Sequence, residues 1–433
     1  MINRYSRSQM SSLWTDEAKI KSWLEVELAV CAVQSSFGQI PDSDWQAIKS
    51  RAKFDLKRIQ EIEAEVKHDV IAFLTNVKEH IGDSARYIHL GLTSSDVLDT
   101  GLALQLKKAG KILQDDLHKL DQTILELAIK HKYTLQIGRS HGVHAEPITF
   151  GFKMAVWLAE IRRHQDHLKQ AIKSITVGKI SGAVGTYANI SPAVEEKVCE
   201  MLGLTAETAA TQVVQRDRHA HFITTLALIA CSLDKFATEI RHLQKSEVLE
   251  VEEPFTEGQK GSSSMPHKRN PVGCENISGL ARLLRSYAIA AMENISLWHE
   301  RDISHSSVER VIIPDSVILL DYMLDRLTVI LKDLVVYPEN MQQNLNRFGG
   351  VVFSQAVLLK LVDKGLSREE AYKLVQDRAM SVWNKVNGDF KNSVLKDPQI
   401  TKLMSKDEIE QCFQTQSYVK NIDQIFKRLN INS

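Results

Sequence analysis

The run FITTLALIACSLDKFATEIRHL, Phe222 to Leu243, decides the fold. Phe222, Leu226, Ile229, Leu233, Phe236, Ile240 and Leu243 recur at steps of three and four, which winds them onto one stripe of an α-helix. Leu106, Ala109, Leu113, Leu117, Leu120, Ile124 and Leu127 form a second stripe. Val317, Leu320, Leu324, Leu327, Leu331 and Leu334 form a third. Stripes this long favour helices packed nearly parallel, as in a bundle. Leu228, Leu319 and Val329 are apolar beside the stripes, so these helices are expected to bury a second face, as helices shared between subunits do. The stripes predict an all-α, long-helix architecture; they carry architecture and no chemistry.

Nine prolines in 433 residues leave room for such helices. Lys plus Arg and Asp plus Glu each total 54, and the zero formal charge argues against a nucleic-acid or other polyanion binder. No uninterrupted apolar run reaches the roughly 18 residues of a membrane span, and Met1 to Arg7 lacks the pattern of a secretory signal. Cys31, Cys199, Cys231, Cys274 and Cys412 are odd in number and widely spaced, which reads as reduced thiols and a cytoplasmic protein with no metal-ligand pattern. Three helical domains are expected: residues 1–92, a central long-helix domain 93–339, and residues 340–433.

The breaks between stripes hold the polar constellations. Gly261-Ser-Ser-Ser-Met-Pro-His-Lys-Arg-Asn-Pro271 is a glycine- and proline-punctuated loop, within 258–271, leading into a helix. Its three hydroxyls and its cations suit a carboxylate or phosphate, and a solvated surface loop explains the same composition. Ser140-His141-Gly142-Val143-His144-Ala145-Glu146-Pro147 carries two histidines, a residue type that titrates near neutral pH with an ordinary pKa of about 6.5. A buried, hydrogen-bonded histidine is the bland alternative, and no further ligand at a familiar spacing supports a metal. Thr93-Ser94-Ser95-Asp96 reads as a helix N-terminus, where hydroxyls and a carboxylate cap amides that also suit an anion. Lys67-His68-Asp69 joins a cation, a titratable ring and a carboxylate, which alone reads as a solvated face. Gly178, Gly182 and Gly185 do not have dinucleotide-fingerprint spacing, and no phosphate-binding loop with a Gly-Lys-Ser/Thr ending is present, so nicotinamide and nucleoside triphosphate cofactors are not expected.

Together these segments resemble the fumarase/aspartase superfamily, whose Gly-Ser-Ser-x-Met-Pro-x-Lys-x-Asn-Pro loop matches Gly261 to Pro271. Within it the chain resembles the adenylosuccinate lyase family at Arg4-Tyr5-Ser6, Lys67-His68-Asp69-Val70, Ser140 to Ala145, Ser181 to Thr186 and Met265 to Asn270. Ser140, where threonine is expected, is a mild departure. The resemblance spans essentially the whole chain. It implies three helical domains, a homotetramer built on a central bundle, and active sites assembled from three subunits. It also implies elimination of fumarate from two succinylated small molecules, adenylosuccinate and succinylaminoimidazole carboxamide ribotide, without metal or cofactor.

The resemblance further implies the roles. His141 is the general acid and Ser262 the base, activated by Lys268 and backbone amides. Either group is expected to contribute about 100- to 10,000-fold. Lys268 and Asn270 hold the carboxylate that gains charge, at roughly 3 kcal/mol per donor. His89 and Glu275 support the acid, Glu275 by orienting His141, and His68 belongs with the catalytic set. Arg4, Tyr5, Arg301, Ser306 and Arg310 bind the nucleotide and its phosphate. Lys67, His68, Asp69, Thr93, Ser94, Gln212, Ser263, Arg269 and Asn276 line the substrate. A carboxymuconate cycloisomerase shares a similar loop without the matches at Arg4 and Lys67; argininosuccinate lyase and fumarase match the loop less well. A non-enzymatic helical scaffold accounts for the stripes but not for the loop and its partners.

Overall fold

The structure, a computed structural model, describes residues 1–255, 258, 260–262, 264–383 and 388–431. The helices that frame the core and the polar constellations are α1 (Asp16–Ser36), α2 (Leu56–Val66), α3 (Asp69–Ile81), α4 (Ser94–Lys130), α5 (Phe150–Ile175), α6 (Asp217–Leu243), α7 (Val272–Glu293), α8 (Ser304–Lys332) and α9 (Pro338–Asn346). The three stripes lie on α4, α6 and α8, and from Leu106 to Ile124, from Phe222 to Ile240 and from Val317 to Leu331 their side chains are essentially fully buried. Leu334 falls beyond the end of α8 and is half-buried. Of the flanking apolar residues, Leu319 is buried within the chain itself, whereas Leu228 and Val329 stay exposed. Helix α6 is long and apolar enough by composition to cross a membrane, but its stripe lies in the protein core.

Helix starts follow the residue types. Thr15 and Asp55 cap α1 and α2 by accepting the amides of Ala18 and Arg58, and His68 caps α3 through Nδ1. Lys67 ends α2 in the left-handed conformation, at φ 55°. The chain divides into two compact units. The first comprises residues 1–119, 163–235 and 276–326; the second comprises residues 120–162, 236–275 and 327–433. In the first, Trp23 meets Phe73 edge-on at 5.7 Å inside an apolar cluster contributed by α1, α2 and α3. In the second, Trp157 of α5 stacks on Phe236 of α6 at 4.4 Å, and residues 357–412 build a separate small core.

Strands are few and short. The longest pair is an antiparallel hairpin in the second unit, β1 (Leu135–Ser140) with β2 (Val143–Thr149). The stripe pattern does not predict it, and it carries the Ser140 to Pro147 segment.

Candidate active site

In the first unit, the nucleotide-binding candidates sit on helix ends and short turns. Arg4 and Tyr5 lie in one turn of 3-10 helix, Tyr5 donating to Asn276 Oδ1 at 3.4 Å. Arg7, two residues on, fixes this segment by ion pairs to the buried carboxylates Asp116 and Asp321 at 2.8 and 3.0 Å. Asp69 opens α3 and pairs with Arg310 of α8 at 2.7 Å. His89 stands at φ 65°, with Nδ1 2.6 Å from Glu27 Oε1 and its amide donating to Glu27 Oε2 at 3.0 Å. Glu27 is fully buried in α1, so it dictates the orientation of the ring.

Thr93 precedes α4, and its amide donates to Asp96 Oδ2 at 2.8 Å, fixing the turn that presents Thr93 and Ser94. The other oxygen of Asp96 accepts from the fully buried Lys179 at 2.5 Å and from the Ser181 amide at 3.1 Å, tying the helix start to the glycine-rich segment. Arg301 donates to Gln212 Oε1 at 3.0 Å. A cavity of about 340 Å³ is lined by Arg301, Ser306 and Arg310 together with Ser95, His305 and Trp14. Ser95 Oγ, Arg301 Nε and Trp14 Nε1 are buried there without a hydrogen-bond partner among the described residues. Such groups suit a polar ligand or bound water.

In the wall of this cavity Arg216 forms a two-sided buried ion cluster with two further lining residues, Asp99 and Glu309. It meets Asp99 of α4 at 2.8 and 2.9 Å and Glu309 of α8 at 2.9 and 3.2 Å. Burial opposes the charge on Asp99, but the Arg216 guanidinium outweighs it and brings the carboxyl down to about 2. Burial raises Glu309 to about 7, with Arg216 pulling the other way. Burial and then the Arg216 charge hold His219 down at about 3 and His305 at about 4.

In the second unit, His141 and Gly142 form the two-residue loop between Ser140 and Val143, at φ 55° and 76°. Two positive φ values in such a loop define a type I′ turn, which asparagine-glycine fits more easily than histidine-glycine. The His141 side chain is exposed, and no described residue hydrogen-bonds its ring. Glu275, in the first turn of α7, is also exposed, and no hydrogen bond joins it to His141 among the described residues of the chain. His144, opposite Arg139, packs its ring edge against Phe348 at 5.0 Å, and burial lowers its pKa.

The signature loop is organised by its own backbone. Ser262 Oγ accepts the amides of Ser264 and Met265 at 3.3 and 3.1 Å. Two N–H donors on one hydroxyl oxygen favour its anion. Lys268 donates to Asn270 Oδ1 at 2.5 Å, and Asn270 Nδ2 donates to the Gly261 carbonyl at 3.0 Å. A side chain at Gly261 would meet the Lys268 carbonyl at 2.1 Å, so glycine is required there. Arg269 turns the other way, to Glu252 at 3.3 Å and over the ring of Phe255. Ser263 lies outside the described residues.

The family described as Lyase matches residues 2–284, and the family described as Adenylosuccinate lyase C-terminus matches residues 350–429. A Synechocystis protein named adenylosuccinate lyase is 58% identical over 431 residues, all of both chains. The chain belongs to the adenylosuccinate lyase family. A member from Bacillus subtilis is 53% identical over the same length. Among solved structures, 3-carboxy-cis,cis-muconate lactonizing enzyme from Pseudomonas putida superposes with a TM-score of 0.88 at 29% identity, covering 98% of this chain and 96% of that one. A fumarate lyase from Mesorhizobium sp. BNC1 shares the fold with a TM-score of 0.90 at 24% identity, covering 99% of each chain.

For a member of the adenylosuccinate lyase family, the candidates fall into two sets. The first unit joins Asp69 with Arg310, Gln212 with Arg301, and Tyr5 with Asn276, and gathers Arg301, Ser306 and Arg310 on one cavity. The second unit joins Ser262, Lys268 and Asn270 in one loop but leaves His141 and Glu275 without a mutual contact. Sequence reasoning missed Glu27, Asp99, Arg216, Glu309 and Glu250. Glu27, Asp99 and Glu309 are charged residues inside or beside apolar helical runs, and that mismatch is a signal; Arg216, in a polar stretch, and Glu250, beyond the helix end, carry no such signal.

Proposed function

We propose that the protein is a carbon–nitrogen lyase of purine nucleotide synthesis. It eliminates fumarate from adenylosuccinate, releasing AMP, and from succinylaminoimidazole carboxamide ribotide, releasing the free carboxamide. The observation that carries this reading is the signature loop, in which Ser262 Oγ accepts two backbone amides beside the Lys268–Asn270 pair. The muconate lactonizing enzyme shares the fold at 29% identity, whereas the two adenylosuccinate lyases match at 58% and 53% over the whole chain, so the substrate follows the latter.

The chemistry is a β-elimination. Ser262 as its alkoxide takes a proton from the carbon beside a succinyl carboxylate. The C–H electron pair becomes the new C=C bond while the C–N bond breaks. His141 protonates the departing nitrogen. Electrons and protons balance with no redox partner. Negative charge grows on the carboxylate next to the reacting carbon, and Lys268 and Asn270 receive it. The two amides at Ser262 lower the cost of ionising its hydroxyl. Arg4, Tyr5, Arg301, Ser306 and Arg310 bind the nucleotide and phosphate. Lys67, His68, Asp69, Thr93, Ser94, Gln212, Ser263, Arg269 and Asn276 line the rest, His89 and Glu275 support the acid, and His68 belongs with the catalytic set.

We infer a cytoplasmic homotetramer with active sites shared between subunits. Exposed Leu228, Ile289, Met292 and Val329 on the long helices supply apolar surface for such an interface, and the exposed His141 and Glu275 leave room for residues from another subunit. The buried thiols of Cys31, Cys199 and Cys412 fit a reducing compartment. The functional division is residues 1–92, 93–339 and 340–433.

The test is an ultraviolet assay of the purified protein with adenylosuccinate, identifying fumarate and AMP. His141→Gln and Ser262→Ala are expected to lower kcat by about 100- to 10,000-fold while remaining folded. Full turnover by either variant overturns its assigned role, and no turnover by the unaltered, folded protein overturns the substrate.

A further inference from the structure

We propose that Glu250 is a positioning residue for proton transfer, acting through Arg139 on the turn that presents His141; this rests on the reading of His141 as the acid. Glu250 is fully buried in the second unit. Its carboxylate accepts Arg139 at 2.7 and 3.1 Å, Gln136 at 2.6 Å and Asn344 at 2.8 Å. Arg139 and Gln136 belong to β1, and Asn344 to α9. The backbone of Glu250 is fixed as well: its amide donates to the Leu243 carbonyl at 2.9 Å, and its carbonyl accepts the Tyr337 amide at 3.0 Å. The carboxylate is therefore a stationary anchor onto which β1 is drawn.

Why the anchor matters is seen in the hairpin. Leu135, Gln136 and Ile137 pair with Thr149, Ile148 and Pro147, but the register shifts between Ile137 and Arg139. Such a bulge re-aims the strand beyond it. Gly138 sits at the shift, where a side chain would meet the Glu146 carbonyl at 2.9 Å. Above it remain only the pairs Arg139 with His144 and Ser140 with Val143, and then the turn. The lower ladder does not set the direction of this tip. Arg139 does so from one strand, through its bidentate grip on Glu250. His144 braces the other strand through Phe348, which itself stacks on Trp383 at 4.7 Å. His141 lies two residues from Arg139 in a left-handed conformation that the turn alone does not favour for histidine. A bidentate arginine–carboxylate pair fixes direction as well as distance. That is the property needed to hold an acid within hydrogen-bonding reach of a departing nitrogen.

Glu250→Gln keeps the shape and removes the charge. The expected result is a fall in kcat of about 100-fold with KM little changed, the loss that a displacement of about 1 Å produces. Because a merely structural defect could also lower activity, the deciding measurement is a double-mutant cycle with His141→Gln. If Glu250 acts through His141, adding Glu250→Gln to His141→Gln leaves the residual rate within about twofold. Multiplicative losses, or a change confined to thermal stability or KM, overturn the inference. Should Glu250→Gln not fold, Arg139→Lys, which keeps the charge but not the fork, and Asn344→Ala, which removes one bond to Glu250 and one to the Val248 carbonyl, run through the same cycle. If His141→Gln alone retained full kcat, the acid assignment would fail; an impaired His141→Gln with a fully active, folded Glu250→Gln overturns only the role of Glu250.

Discussion

Candidates for gripping the nucleotide and candidates for moving protons are supported in different ways. In the first unit, Arg310, Arg301 and Thr93 are each held by a side chain, from Asp69, Gln212 and Asp96, and buried ion pairs lie alongside: Lys179 with Asp96, and Arg216 with Asp99 and Glu309. In the second unit, His141 is exposed on a two-residue turn, and Ser262 and Lys268 lie on a loop held mainly by its own backbone. The difference fits a division of labour. A binding surface gains from being rigid before the ligand arrives. Groups that exchange protons must be reachable, and substrate and neighbouring subunits complete their surroundings in the proposed tetramer.

This contrast predicts opposite phenotypes, and the largest effect belongs to the buried cluster. Arg216→Met leaves two carboxylates buried without their cation, and breaking a buried pair in this way costs about 3–5 kcal/mol. Urea or thermal unfolding should show that loss. Lys268→Met should change stability by less than about 0.5 kcal/mol, as exposed substitutions do. It should instead lower kcat by about 100-fold, the scale of one oxyanion-type donor. Equal stability losses in the two variants would erase the distinction between the units.

The same contrast explains what could be read from the sequence. The stripes were legible because burial repeats every three or four residues along one helix, and Leu226, Leu233, Leu320 and Leu324 are indeed inaccessible. The signature loop stood out because its residue pattern is contiguous from Gly261 to Pro271. Arg216 was not, because its partners Asp99 and Glu309 lie 117 and 93 residues away. Glu250 was hidden for the same reason, gathering Gln136, Arg139 and Asn344 from separate elements. The β1–β2 hairpin escaped because its strands carry Arg139, His144 and Glu146 instead of an apolar alternation, and its bulge breaks the period of two.

A smaller effect should appear on acidification. His219 and His305 are held neutral down to about 3 and about 4 by burial and the Arg216 charge, against an ordinary 6.5. Between pH 6.5 and 4 the unfolded chain therefore binds protons at these sites that the folded chain refuses. The stability they provide is present above 6.5 and is lost as pH falls through that window. Glu309, raised to about 7, acts in the opposite direction, since the folded chain keeps its proton more tightly. Asp99, lowered to about 2, begins to matter only below its ordinary 3.8. Each uncompensated proton is worth up to about 1.4 kcal/mol per pH unit. Unfolding midpoints measured from pH 7 to 4 should fall, and His219→Gln should flatten the fall. An unchanged slope in that variant would mean that His219 does not stay neutral in the fold.

The smallest expected effect separates strain kept for function from strain needed by the fold. Lys67, His89 and His141, all candidates from the sequence, share positive φ values of 55°, 65° and 55°. For residues other than glycine this conformation costs about 1–2 kcal/mol. Lys67 makes the clearest case, because it closes α2 by donating its amide to the Glu63 carbonyl at 2.9 Å, a helix end that glycine normally occupies. Its side chain is exposed, so packing does not account for lysine there. Lys67→Gly should raise stability by up to about 1 kcal/mol, reduced somewhat by the freedom glycine adds to the unfolded chain. The same variant should bind substrate less well, raising KM. A gain in stability with a loss of binding would show that the left-handed lysine is retained to aim an ammonium group at the ligand. A loss of stability would return Lys67 to the fold, and the shared strain at His89 and His141 would then lose its strongest functional parallel.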